Sequence, residues 1–128
     1  MNNVQQRVSV HTLGCKLNSV ESSAILQSFV DAGYAVVPFG ESADVVVINT
    51  CTVTEQANSE GRQVIRAAVR TSPGATIAVT GCYAQLQPHE VGSIDGVSVV
   101  AGSAAKANLR TLVEASRGST STLIDVDP

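Results

Sequence analysis

Asp44–Thr50 (DVVVINT) limits the folds open to this 128-residue chain more than any other segment. Val45, Val46, Val47 and Ile48 are consecutive β-branched residues, which suit an extended strand. With no polar alternation, neither face of that strand can be left to water. A strand covered on both faces belongs inside a parallel sheet. Parallel neighbours need crossover connections, usually helices, so the flanking sequence must supply them.

It does. Val8 to Leu13 is a β-prone run that ends at Gly14-Cys15. The next helix is predicted to start near Asn18, which has Glu21 three residues later in the form of a capping box. Ile25, Leu26, Phe29 and Val30 follow at helical spacing, and Gly33 stands where a helix-closing glycine belongs. Tyr34 to Val37 reads as a second strand closed by Pro38, and Asp44–Thr50 as a third that ends at Cys51. Thr52 with Glu55, or Thr54 alone, caps a helix whose inward stripe is Ala57, Val64, Ile65 and Ala68. Ser72-Pro73-Gly74 stops it. Thr76 to Thr80 is a fourth strand ending at Gly81-Cys82, followed by a short helix near Gln87 to Gly92. Val97 to Ala101 is a fifth strand, and Ser103 caps a helix running to about Ala115. The polar run Ser116 to Thr122 (SRGSTST) reads as a linker, so residues 1–115 are expected to form one domain and 116–128 a linker.

This alternation predicts an α/β fold: a five-stranded parallel sheet with helices on both faces. Right-handed crossovers favour the strand order 2-1-3-4-5.

Composition narrows the function classes. Hydrophobic residues make up 44% of the chain and charged residues 15%, as in a packed domain. No run approaches the roughly 20 apolar residues of a membrane span, and residues 1–12 lack the apolar core of a secretory signal. A cytoplasmic location without membrane contact is expected. The net charge of −3 lacks the basic footprint of a self-sufficient nucleic-acid binder. Three cysteines, an odd number without an export signal, argue against a disulfide framework and leave buried thiols, a metal site or redox chemistry.

Cys15, Cys51 and Cys82 lie more than thirty residues apart, too far for a local chelating loop. Each nevertheless stands at the carboxyl end of a predicted strand, and in the order 2-1-3-4-5 those three strands are neighbours. With about 4.8 Å between strands, the outer two ends are about 10 Å apart. The three thiols would converge where open α/β sheets bind ligands. Three thiolates suit an iron–sulfur cubane with one open iron, normally held by four, or a zinc ion with a water. Gly14 and Gly81 would allow close backbone approach to a bulky inorganic core.

The segments Thr12–Asn18 (TLGCKLN), Ile48–Thr54 (INTCTVT) and Thr80–Gln85 (TGCYAQ) resemble the three cysteine motifs of the N-terminal domain of the radical-SAM methylthiotransferase family. The resemblance spans about residues 7 to 115. It implies a Rossmann-like or flavodoxin-like sheet and an auxiliary [4Fe–4S] cluster bound by Cys15, Cys51 and Cys82. It also implies that a radical-SAM domain with a second [4Fe–4S] cluster cleaves S-adenosylmethionine, and that a methylated sulfur species is delivered to an unactivated carbon. The residues following the cysteines are most similar to the branch that converts threonylcarbamoyl-adenosine beside the tRNA anticodon to its 2-methylthio form. The isopentenyl-adenosine and ribosomal-protein branches rank behind it. A C-x-x-x-C-x-x-C motif is absent, so the radical-SAM and RNA-binding domains are expected to lie outside this chain. The chain alone is expected to be a non-catalytic fragment whose partners are those domains and, through them, tRNA. The alternative is a stand-alone metal-binding α/β module without catalysis.

Asn18 and Asn49, close to two of the cysteines, are helix-cap and strand-end residues that could also hydrogen-bond toward cluster sulfur. Arg62, Arg66 and Arg70 form a solvated helix stripe or, in the rival reading, a docking surface. His11 is a reserve ligand, Lys16 and His89 ordinary surface residues, and Tyr83 either a shield over the site or part of the core.

Overall fold

The computed structural model describes residues 5–13, 16–50, 55–102, 108–117 and 121–126, with the backbone alone described for 16–21. Arg7–Thr12 forms β1, Lys16–Asp31 α1, Ala35–Val36 β2, Val45–Thr50 β3 and Glu55–Thr71 α2. Thr76–Gly81 forms β4, Cys82–Leu86 α3, Pro88–Gly92 α4, Val97–Ala101 β5, Leu109–Ser116 α5 and Leu123–Asp125 β6. All strand pairs are parallel, in the order β2-β1-β3-β4-β5-β6. The α/β sheet and its first five positions follow the sequence expectation.

The sixth strand does not. Leu123–Asp125 falls in the segment expected to be a linker, yet it pairs with β5 through Val99↔Leu123 and Ala101↔Asp125. Three residues are too few to show a period, and what makes them a strand is the open edge of β5 beside them.

All six residues of β3 are buried. Val45 and Val47 join Val8, Ile25, Phe29, Ala78, Val99, Leu109 and Val113 in one core, under α1 and α5. Val46 and Ile48 join Ile65, Ala68, Ile77, Val79, Tyr83, Val91 and Val100 in the other, under α2, α3 and α4. Each fully buried Val, Ile or Phe stabilises the fold by about 1.5–3 kcal/mol, so β3 is the hinge of both layers.

Several helix details differ from expectation. α1 begins at Lys16, so Asn18 lies in its first turn and is not its N-cap. Val30 faces outward, because Ile25 and Phe29 already fill the inner stripe with Leu26 beside them. In α2 the buried positions are Gly61, Ile65 and Ala68; Ala57 and Val64 are only partly covered. Gly61 faces the Tyr83 ring, which lies in ordinary van der Waals contact, 3.5 Å from where a Cβ would stand. Gly33 does close α1, at φ +97, with the Tyr34 N–H donating to Phe29 O at 3.0 Å. The proposed caps Thr52, Thr54 and Ser103 lie outside the described residues.

Candidate metal centre

The ends of β1, β3 and β4 lie side by side at one edge of the sheet. Thr12 pairs with Asn49, Asn49 with Thr80, and Thr50 with Gly81. The Leu13 N–H extends the first pairing by donating to Asn49 O at 2.8 Å. Each of these strands leads within a few residues to a cysteine: Cys15 after β1, Cys51 after β3 and Cys82 after β4. Cys82 is the first residue of α3, and its thiol is exposed. Cys15, Cys51 and Gly14 lie outside the described residues, as do the side chains of Lys16 and Asn18. Among the described residues, no three His, Cys, Asp or Glu side chains are grouped closely enough to hold a metal ion.

The turn into Cys82 is tightly built. Gly81 has φ +99, and a Cβ there would lie 1.8 Å from Thr50 O. The close approach that requires this glycine is therefore to the β3 backbone. Thr50 Oγ1 donates to Thr80 O at 2.9 Å and accepts from the Tyr83 N–H at 3.2 Å. The hydroxyl of one strand thus satisfies a first-turn N–H of α3, which Gly81, its N-cap residue, cannot do with a side chain.

Tyr83 resolves to the core. It is 1% exposed, lies under α2 and donates its hydroxyl hydrogen bond to Glu90 of α4. Arg62 of α2 donates to Tyr83 Oη at 3.1 Å and to Glu90 at 3.4 Å. Burial, then the bond to Glu90, holds the Tyr83 phenol above its ordinary pKa, while the hydrogen bond to Tyr83 holds Arg62 charged. One side chain therefore ties the cysteine-bearing α3 to both α2 and α4, a link sequence reasoning missed. The visible signal was Tyr83 with Glu90 seven residues on.

On the other face, Asn49 is fully buried, and its Nδ2 donates to Ser22 Oγ of α1 at 3.0 Å. Thr12 Oγ1 donates to the same oxygen at 2.6 Å. His11 stacks on Phe39 with ring centroids 4.3 Å apart, and burial lowers its pKa. His89 is exposed on α4. Of the arginine stripe, Arg62 is held as described. Arg66 and Arg70 are exposed along an open groove that also carries Glu55, Glu90 and Asp95, so its wall is of mixed charge.

Cys82 brings one thiol, the donor type that thiophilic metals select, to the end of β4. Thiolates select iron–sulfur clusters or zinc. The Cys82 thiol is accessible, and Thr80, two residues earlier, has a buried hydroxyl with no hydrogen-bond partner among the described residues. No helix among the described residues is long and apolar enough to cross a membrane.

Residues 7–102 match the profile of a family described as uncharacterized protein family UPF0004. The chain is 54% identical over 95 residues to the threonylcarbamoyladenosine tRNA methylthiotransferase MtaB of Bacillus subtilis, covering 74% of this chain and 21% of that protein. The protein of that name from Aquifex aeolicus is 41% identical over 84% of this chain and 26% of its own length. A tRNA-2-methylthio-N(6)-dimethylallyladenosine synthase from Fusobacterium nucleatum is 39% identical over 67% of this chain and 20% of its own. The chain spans about a fifth to a quarter of the length of these curated relatives.

Proposed function

The chain belongs to the uncharacterized protein family UPF0004, and on that footing we propose that it is the auxiliary [4Fe–4S]-binding domain of a tRNA-modifying methylthiotransferase. Cys15, Cys51 and Cys82 would be the ligands. The observation that carries the reading is the in-register pairing of β1, β3 and β4, which brings the three chain segments leading to these cysteines to one sheet edge. Three thiolates leave one iron of a cubane open, and when bound such a group supplies a site at which a sulfur species can be held. The protein's own part is to space the ligands and fix the Cys82 turn through Thr50 and Gly81. It also lines the ends of β1, β3 and β4 with the buried Asn49 and Thr80 and the partly buried Thr12.

The substrate we assign is threonylcarbamoyl-adenosine in tRNA, methylthiolated at C2, in keeping with the names of the Bacillus and Aquifex relatives. S-adenosylmethionine cleavage, a second cluster and the RNA contacts belong to radical-SAM and RNA-binding domains outside these 128 residues. The domain alone transfers nothing, and its place is the cytoplasm. Isopentenyl-adenosine in tRNA is the second reading, favoured by the Fusobacterium relative.

Anaerobic reconstitution with iron and sulfide, followed by Mössbauer spectroscopy, tests the core of this proposal. We expect one cubane per chain, lost on replacing Cys15, Cys51 or Cys82 by Ala. Stoichiometric zinc without iron uptake would instead identify a metal-binding module without catalysis. Deleting the gene should abolish 2-methylthio-threonylcarbamoyl-adenosine and spare 2-methylthio-isopentenyl-adenosine in digested tRNA; the reverse pattern exchanges the two substrate readings. Product formed by the 128 residues with S-adenosylmethionine and tRNA would overturn the non-catalytic assignment.

A further inference from the structure

At the end of α5 the chain stands at the amino edge of the sheet. Arg117 donates there to Gln6 Oε1, just before β1, and to Tyr34 Oη, just before β2. β6 then carries the chain forward along β5. Thr122 Oγ1 donates to Val97 O at 3.0 Å, and the ladder runs in parallel from Val99↔Leu123 to Ala101↔Asp125. The Gly102 N–H closes it by donating to Asp125 O at 2.9 Å. Val126 lies against Gly102, and the Gln85 side chain of α3 approaches the same glycine. Cys82 opens α3, so β6 delivers the chain to the carboxyl edge beside the helix that carries an exposed thiol.

A flexible linker buries nothing, yet this segment is anchored on both faces of the sheet. Leu123 packs against the core under α1 and α5, and Val126 against the core under α2, α3 and α4. Ile124 lies over Gly92 of α4, where an added Cβ would come within 3.1 Å of its Cδ1. Covering the open edge of β5 needs only the three paired residues. An apolar anchor beyond the last pair, at Val126, fixes in addition where the chain goes next. We infer that β6 is a positioning strand, which holds the following domain against the carboxyl edge beside α3. This inference rests on the reading above, in which a radical-SAM domain continues the polypeptide.

The full-length polypeptide tests this, with about ten Gly and Ser residues inserted between Val126 and Asp127. The insertion keeps β6 and every contact named above, and frees only the path that follows. A second variant, combining Leu123→Ser, Ile124→Ser and Val126→Ser, removes the anchors at unchanged length. In small-angle X-ray scattering both should have a larger radius of gyration than the parent, because a loose tether lowers the effective concentration of one domain at the other. The insertion variant should keep the parent's iron content and thermal midpoint. Its yield of methylthiolated tRNA per S-adenosylmethionine cleaved should fall about tenfold for the same reason. An insertion variant with the parent's radius, or with the parent's yield, overturns the inference and leaves β6 as a cover for the edge of β5. A parent that makes no methylthiolated tRNA counts against the proposed function instead, and the radii still decide the role of β6.

Discussion

The backbone N–H of Tyr83 donates to Thr50 Oγ1 at 3.2 Å, joining the residue after Cys82 to the residue before Cys51. One hydroxyl thereby ties the end of β3 to the first turn of α3, two stretches far apart in sequence. It is held on its other side by Thr80 O at 2.9 Å, so it cannot rotate away without losing a second bond.

Thr50→Val keeps the shape of that residue and removes both bonds. The Tyr83 N–H is left without Thr50 in a buried environment, which costs about 1–3 kcal/mol. Urea denaturation of the metal-free chain should show a loss in that range with an unchanged m-value. The variant should also release iron faster to a chelator, and identical release kinetics would separate Thr50 from the site.

Gly81→Ala should be the more damaging change. Its Cβ would overlap Thr50 O, and φ +99 is unfavourable for any residue with a side chain. Strain and overpacking together should remove about 3 kcal/mol or more. A thermal unfolding midpoint within a degree or two of the parent would contradict the geometry at this turn.

Tyr83→Phe preserves the ring under Gly61 and deletes the hydroxyl that binds Arg62 and Glu90. Both partners stay partly exposed and can be rehydrated, so the expected loss is about 1 kcal/mol. Tyr83→Ala empties a fully buried site and should cost about 3–5 kcal/mol. Denaturation curves for the pair would separate the ring's share from the hydroxyl's.

His11 provides a pH test. Burial lowers its folded-state pKa below 6.5, so the unfolded chain binds the extra proton more readily. Stability from this group is complete well above pH 6.5 and is lost as pH falls below 6.5 and on through the lower folded-state pKa. His11→Phe, which keeps an aromatic ring against Phe39, should flatten the stability slope between pH 7 and pH 5. Equal slopes in the two proteins would mean that His11 titrates alike in both states.

The parallel sheet and its β2-β1-β3-β4-β5 order were legible in the chain because DVVVINT permits only a strand covered twice, and crossovers then leave few arrangements. The side-by-side ends of β1, β3 and β4, which lead to the three cysteines, followed from that order. The family followed from the three motifs, which the profile match over residues 7–102 supports. These are properties of short contiguous stretches, where apolar period and turn residues are written directly into the residue types.

Contacts between distant stretches were settled only on folding. Gly81 is required by the backbone of Thr50, thirty-one positions earlier, and Tyr83 by Gly61, Arg62 and Glu90. Leu123–Asp125 becomes a strand because β5 offers it unpaired backbone groups. Thr80 reads as an ordinary β-branched residue of a strand until the packed structure buries its hydroxyl without a partner among the described residues. Local propensity cannot encode such facts, since each depends on which atoms the completed fold brings within hydrogen-bonding or van der Waals reach.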